Sequence, residues 1–167
     1  MKNIVSSSII FLSGFLVLSI QLILGKSILP FFGGSPNTWI SSLAFFQCFL
    51  SVGYLYSYLN QKYLDFNNQI KTHLLLSICA LISLYFADFD YRTTSVFLTL
   101  TFIIGVPYLV LTTFSPIIQS WYASYFKENP YYLYIFSNLG TFSSLMAYPL
   151  LIEPNIDTNV QVEIFKI

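Results

Sequence analysis

Residues 130–154, PYYLYIFSNLGTFSSLMAYPLLIEP, decide the fold class of this chain. The segment is almost entirely apolar and aromatic, and about 20 such residues at 1.5 Å each cross the hydrocarbon core of a bilayer. Wound as a helix, it separates small side chains (Ser137, Gly140, Thr141, Ser144, Ala147) from large ones (Ile135, Leu139, Phe142, Met146, Pro149). Small residues let membrane helices approach closely. We therefore predict a transmembrane helix over 132–152 with a protein-facing and a lipid-facing side.

Two polar residues interrupt this segment. Asn138 borders the small side chains, so we expect it to point into the bundle and bond to another helix, with a ligand contact as the alternative. Glu153 stands at the exit between Ile152 and Pro154. Ionisable groups at membrane depth are often functional, but proline ends the helical ladder here and Glu153 could equally reach interfacial water. Both interpretations of Glu153 stay open.

The composition extends the membrane prediction to the whole chain. Hydrophobic residues make up 56% and charged residues 8% of 167, whereas a soluble domain carries about 25% charged residues. Apolar stretches predict five membrane helices near 4–24, 38–59, 72–87, 94–119 and 132–152. We therefore predict an all-α, polytopic membrane bundle over 1–154 with a polar tail at 155–167. The zero net charge and the lack of a basic run do not favour nucleic-acid binding.

Two further segments carry polar side chains at helical spacing. In the second helix, Gln47, Ser51, Tyr54 and Tyr58 share one face, which predicts interhelical hydrogen bonding or a polar cavity lining. In the fourth helix, Thr112, Ser115 and Gln119 share a face near Pro116. We expect these three side chains to point into the bundle, together with Gln47 and Tyr54 of the second helix. Pro107 and Pro116 are expected to kink or break this helix, a device of transporters that is also ordinary in other membrane helices.

The remaining reactive residue types do not form a recognisable centre. Cys48 and Cys79 lie in apolar stretches, so we expect packing cysteines rather than a disulfide or a metal site. We expect His73 to lie at the membrane–water interface rather than to act as a ligand. The sequence carries no Gly-rich phosphate loop and no catalytic carboxylate pair. We therefore predict no catalytic residues, no metal and no cofactor for this chain.

Charges near the helix ends bear on orientation. The start of the chain is apolar over 4–24, longer than the core of a secretory signal, so we expect a retained first helix. Lys26 follows it and is expected at the rim of the bundle, as is Glu153. With the amino terminus inside, the cytoplasmic lysines are Lys2, Lys62, Lys71 and Lys127, against Lys26, Arg92 and Lys166 outside. The cytoplasmic side then carries four positively charged residues and the other side three, which narrowly favours an amino terminus on the inside.

Four segments occur in an order that resembles a known family. They are GKSILPFFGGSPNTW (25–39), FFQCFLSVGYLYSYL (45–59), TTFSPIIQSWYA (112–123) and NPYYLYIFSNLGTFSSLMAYPLLIEP (129–154). Together they resemble the membrane domain of spermidine-synthase-like integral membrane proteins, the fused major-facilitator/spermidine synthase type. In that family a polyamine-synthase-like domain with a glycine-rich adenosyl-cofactor loop commonly follows. The family pattern continues beyond Gln161, so the resemblance implies a member truncated or split before its synthase domain, or only the amino-terminal membrane module.

Three functions follow as expectations. The first is a non-catalytic membrane module that anchors or scaffolds a separately encoded synthase-like domain. The second is a transporter-like module for small cationic solutes such as polyamines, and the third is a non-functional fragment of a longer gene. The expected location is the inner (plasma) membrane. Besides the lipid bilayer, the expected partner is a second copy or the missing domain, on an open lateral face of the bundle.

Overall fold

The computed structural model describes residues 2–87 and 95–164, with side chains from Ile4 onward in the first helix. Its elements are α1 (Lys2–Ser27), α2 (Leu29–Phe32), α3 (Pro36–Tyr63), α4 (Phe66–Tyr85), α5 (Val96–Phe126), α6 (Tyr131–Ala147), a π-helical turn (Tyr148–Ile152), α7 (Glu153–Asn155) and α8 (Thr158–Ile164). Over these residues the fold is all-α, which confirms the predicted class.

Four of the helical stretches are long and apolar enough to cross a membrane. They are Ile4–Phe32, Pro36–Tyr63, Val96–Phe126 and Tyr131–Asn155. The chain is therefore a membrane protein, as its composition predicted. The remaining predicted span, 72–87, corresponds to α4, which begins earlier at Phe66. This helix is long enough but too polar by composition, because its first turns carry Asn67, Asn68, Gln69 and Lys71.

The direction of α4 follows from its neighbours. Helices α3 and α5 run parallel: Phe45 contacts Phe97 with ring centroids 5.6 Å apart, and Gln61 donates to the Pro116 carbonyl at 3.4 Å. Since both point the same way, the chain between them must return to the other side of the bundle. At 1.5 Å per residue α4 spans about 30 Å, the thickness of the hydrocarbon core. The tertiary structure thus supports the five crossings predicted from the apolar stretches, although α4 as a whole helix is less apolar than the other four.

Helix α5 lies at the centre of the bundle and contacts α1, α3 and α4. Its buried side chains meet Phe45 and Phe46 of α3 in an aromatic core, where Phe46 and Tyr108 are 5.0 Å apart between ring centroids. Pro107 and Pro116 both lie inside α5. The expected break is therefore absent, and α5 is one continuous helix. Each proline still lacks an N–H, so the carbonyls of Ile103 and Thr112 lose their helical donors.

Helix α6 packs on α1 through its small side chains, as predicted. Gly140 and Ser144 are buried, whereas Ile135 and Phe142 are exposed. A Cβ atom at Gly140 would collide with the carbonyl oxygen of Phe11. Backbone contact this close admits only glycine, so the pair α1–α6 is fixed by residues that have almost no side chain.

The predicted polar tail, 155–167, is partly helical. The helix passes through the π-helical turn at Pro149 and ends at α7. Helix α8 then folds back onto α1, with Gln161 and Val162 buried there. Residues 165–167 of the predicted tail lie outside the described residues.

Candidate functional site

A polar cleft lies between α3 and α6, with α5 as its floor. Its volume is about 400 Å³. The lining residues are Tyr54, Ser57, Tyr58, Gln61, Pro116, Gln119, Ser120, Ala123, Pro130 and Tyr134. Most of them carry a hydroxyl or a carboxamide and none carries a charge. Hydrogen bonding and aromatic contact are therefore what this cleft offers to a neighbouring group.

The predicted residues of α5 support this cleft. Gln119 is buried and donates from Nε2 to the Ser115 hydroxyl at 2.9 Å. Ser115 in turn donates to the Ser137 hydroxyl on α6 at 3.4 Å. Thr112 is buried against Gly53 of α3, and its hydroxyl donates to the Leu109 carbonyl at 2.7 Å. The face that these residues share therefore connects α5 to both walls of the cleft.

Gln47 and Asn138 do not point into the bundle, contrary to expectation. Both side chains are exposed, and neither has a hydrogen-bond partner among the residues that the structure describes. On α3, Phe45 and Phe46 make the contact with α5. Successive side chains are about 100° apart around a helix, so the neighbouring Gln47 points outward. On α6 the close contact with α1 falls on the glycine and serine side, so Asn138 is turned away for the same reason.

The two exposed carboxamides lie on the two helices that wall this cleft, outside its lining. Tyr54 and Tyr134 both line it, and Tyr54 is 52% exposed. Gln47 lies two turns before Tyr54 on α3, and Asn138 lies one turn after Tyr134 on α6, so each continues the polar stripe of its helix. We call the surface formed by Gln47, Ser51, Tyr54, Tyr134 and Asn138 the α3–α6 face.

The two predicted rim charges form an ion pair. Lys26 Nζ lies 2.7 Å from Glu153 Oε1, and the two side chains are 36% and 41% exposed. The pair joins the carboxyl-terminal ends of α1 and of the α6 stretch. Glu153 therefore has a local partner in Lys26.

Sequence reasoning missed a second, apolar site around His73. The imidazole is 6% exposed and so lies inside the protein rather than at the interface. It contacts Phe114 and Trp121 of α5, with ring centroids 5.3 and 6.1 Å away. No sequence pattern indicates this site, because its walls come from three helices that are distant along the chain.

The cysteines also differ from expectation. Cys48 and Cys79 are exposed free thiols on the outer faces of α3 and α4, so they do not fill the core. Among residues 2–87 and 95–164, no three His, Cys, Asp or Glu side chains come close enough to hold a metal ion.

Comparisons with known proteins give no match. No family model matches the chain, and neither a curated protein nor a solved structure does. The resemblance to spermidine-synthase-like membrane domains therefore stays a prediction.

Proposed function

We propose that this chain is a non-catalytic integral membrane module that acts as a scaffold and assembles with a second copy through the α3–α6 face. The observation that carries the proposal is the exposure of Gln47 and Asn138. At 1.5 Å per residue Gln47 lies about 16 Å from the start of α3, and Asn138 about 10 Å from the start of α6. Both depths fall in the apolar part of a bilayer.

An unpaired carboxamide is costly at such depth. Its transfer from water to hydrocarbon without a hydrogen bond costs about 4–8 kcal/mol. Bonds between polar side chains of membrane helices recover part of this cost, about 0.6–2 kcal/mol relative to the separated helices in the membrane. A protein partner on the α3–α6 face would therefore be more favourable than lipid.

The chemistry of the face favours a second copy of the chain. A carboxamide carries both a donor and an acceptor, so two identical groups satisfy each other. Two-fold dimers bring the same patch of both copies together. With the axis along the membrane normal, each residue of one copy faces the other copy at the same depth, so a carboxamide that lies near the axis meets its own counterpart. The face carries no charged side chain that would require an opposite charge on a different partner.

The resemblance suggests what the scaffold would serve. A polyamine-synthase-like domain, encoded separately, would be held at the membrane by this module. The adjacent coding sequence tests this part: we expect a glycine-rich strand–loop–helix there and co-purification of its product with the membrane module. Neighbouring genes without such a motif would contradict the anchoring role and leave self-assembly to be tested separately.

The proposed location is the inner membrane with the amino terminus in the cytoplasm. Lys62, Lys71 and Lys127 lie at the end of the bundle where α1 begins, whereas Lys26 at the other end is paired with Glu153. Arg92 and Lys166 lie outside the described residues. An excess of lysine on one side favours that side as cytoplasmic.

Cross-linking in membranes tests the assembly. In a background with Cys48→Ala and Cys79→Ala, Ser51→Cys places one thiol on the α3–α6 face. We expect it to form a disulfide-linked dimer under mild oxidation. The matched control retains only Cys79, an exposed thiol on α4 that should stay monomeric. Equal cross-linking of both variants, or of neither, would contradict the proposed face.

The polar cleft favours a second candidate, a transporter-like module for small cationic solutes. The rings of Tyr54, Tyr58 and Tyr134 and the amide oxygens of Gln61 and Gln119 could hold a cation without a carboxylate. Uptake of labelled putrescine into vesicles tests it. Rates that are unchanged by Gln119→Ala and Tyr134→Ala would contradict transport through the cleft.

A further inference from the structure

Two carboxamides that line the polar cleft between α3 and α6 keep an oxygen without a partner. Gln119, which is only 5% exposed, donates from Nε2 to the Ser115 hydroxyl at 2.9 Å, and Gln61 donates from Nε2 to the Pro116 carbonyl at 3.4 Å. Neither Oε1 atom has a hydrogen-bond partner among the described residues, and neither is sealed from solvent as the His73 nitrogens are. A molecule in the cleft can therefore reach both oxygens, and each is a hydrogen-bond acceptor.

The two carboxamides are held close together. Their amide nitrogens bond to Ser115 and Pro116, which are adjacent residues of α5. Gln61 comes from α3 and Gln119 from α5, so the two acceptors lie on two different walls of the cleft. A ligand group with several N–H donors suits this arrangement.

The tyrosines of the cleft add aromatic faces. Tyr54, Tyr58 and Tyr134 are each about half exposed. Lys62 Nζ lies 5.5 Å from the centroid of the Tyr58 ring, so a positive charge already rests on one of these rings. Cations within about 6 Å of a ring centroid are attracted to the face of the ring. The cleft therefore combines acceptors with rings that attract cations.

The position of the cleft makes it accessible from water. Tyr54 lies nine residues before the end of α3 and Pro116 ten residues before the end of α5, so the cleft lies within about 15 Å of the end of the bundle. Pro130 and Tyr134 line it where α6 begins. Its volume of about 400 Å³ is typical of a small-molecule site.

We propose that this cleft binds a singly charged guanidinium group, which donates to Oε1 of Gln61 and Gln119 and stacks on a tyrosine ring. A guanidinium is planar, carries several N–H donors, stacks on aromatic rings and is weakly hydrated. An ammonium is a compact and strongly hydrated charge, and no carboxylate lines the cleft to replace its water. A diamine carries two such charges and is also repelled by Lys62.

This inference rests on the second candidate function and narrows its solute class. Calorimetric titration of the full chain in phosphatidylcholine nanodiscs, with empty nanodiscs as the blank, tests it. We expect saturable binding of butylguanidinium and weaker binding of butylammonium, putrescine and butyltrimethylammonium. The last compound can stack on a ring but has no N–H donor. Equal affinities for butylguanidinium and butyltrimethylammonium, or no saturable binding of butylguanidinium, would overturn the proposal.

Gln119→Leu tests the buried acceptor. It removes the oxygen at similar side-chain size, so we expect the dissociation constant of butylguanidinium to rise about tenfold, as for the loss of a hydrogen bond to a charged group. The constant of butyltrimethylammonium should change much less. Gln47→Leu is the matched control, because Gln47 is exposed on α3 and does not line the cleft. An equal effect of Gln119→Leu on both compounds would overturn the role of the oxygen.

Lys62→Met should act in the opposite direction. It removes the positive charge over Tyr58, so we expect butylguanidinium to bind more tightly. Weaker binding would count against a cation site. If Gln119→Leu fails to fold, Gln61→Leu removes the other acceptor, and we expect it to weaken butylguanidinium more than butyltrimethylammonium.

Failure of this inference differs from failure of the transport function. Binding is measured without uptake, so butylguanidinium that binds through Gln119 but does not enter vesicles supports the site and contradicts transport. Putrescine uptake that depends on Gln119, in a protein that does not bind butylguanidinium, would overturn the inference and support transport.

Discussion

Ser19 of α1 and Ser144 of α6 hold their hydroxyl oxygens 2.8 Å apart, and this hydrogen bond joins two helices that run in the same direction. Two turns or more further along each helix, Lys26 and Glu153 meet at 2.7 Å, so the contacts advance in the same direction along both helices. Helices that are neighbours in sequence cannot be parallel across a bilayer. The pairs α1–α6 and α3–α5 are therefore made by segments that are far apart in the chain.

Gly140 should tolerate no side chain. A methyl group there would collide with the Phe11 carbonyl of α1, so we expect Gly140→Ala to lower the free energy of unfolding in detergent by about 1–3 kcal/mol, the usual cost of overpacking. Gly34→Ala is the control, because a Cβ there meets no atom within 4 Å. Equal effects of the two substitutions on unfolding would show that the α1–α6 contact is looser than described.

Helix α4 should place its ends on opposite sides of the membrane. In the background with Cys48→Ala and Cys79→Ala, we expect Asn67→Cys and Tyr85→Cys to react with a membrane-impermeant maleimide from opposite faces of sealed vesicles. Both residues are exposed in the structure, so access to the reagent depends on the side alone. Labelling of both from one face would mean that α4 does not cross.

The exposed carboxamides should contribute to self-association. If Gln47 and Asn138 bond across the dimer, replacing both with leucine removes about 1–2 kcal/mol. The dimer dissociation constant should then rise roughly five- to thirtyfold, as measured by energy transfer between labelled copies in vesicles. Leu55→Ala, an exposed residue of α3 outside the stripe, serves as control. A dimer strengthened by the two leucines would count against hydrogen bonding across this face.

His73→Leu should stabilise the protein in the absence of a ligand. The substitution removes two buried nitrogens that have no hydrogen-bond partner in the described part of the chain, so the free energy of unfolding should rise by about 1 kcal/mol, within the usual cost of an unsatisfied buried group. Thermal unfolding in detergent measures the change. A clear loss of stability would show that the imidazole makes a contact in the ligand-free protein that its surroundings do not reveal.

The ion pair of Lys26 and Glu153 should contribute little. Because both side chains are more than a third exposed, we expect a coupling energy of about 0.2–1 kcal/mol. A double-mutant cycle with Lys26→Met and Glu153→Gln gives this value, and the coupling should fall as salt is added. A coupling of several kcal/mol would indicate that the pair lies in a less polar environment than its exposure suggests.

The rotation of each helix was only partly predictable. The small residues of α6 indicated its inner side correctly, since Gly140 and Ser144 make the closest contacts with α1. Polarity was a poorer guide. Asn138 and Gln47 are polar but exposed. The steric fit of glycine, serine and aromatic residues set the rotation of α6 and α3, and this rotation leaves both carboxamides on the outside.

The sequence by itself determined that this is an all-α membrane protein, because the hydropathy and the length of an apolar stretch depend only on residues that are adjacent in the sequence. It also located Lys26 and Glu153 at helix ends. Only the tertiary structure decided that α3 packs on α5 and α1 on α6, and that His73 is buried among aromatic side chains of α5. These features depend on which surfaces of distant segments fit closely together, and shape complementarity between segments is not encoded in either segment alone.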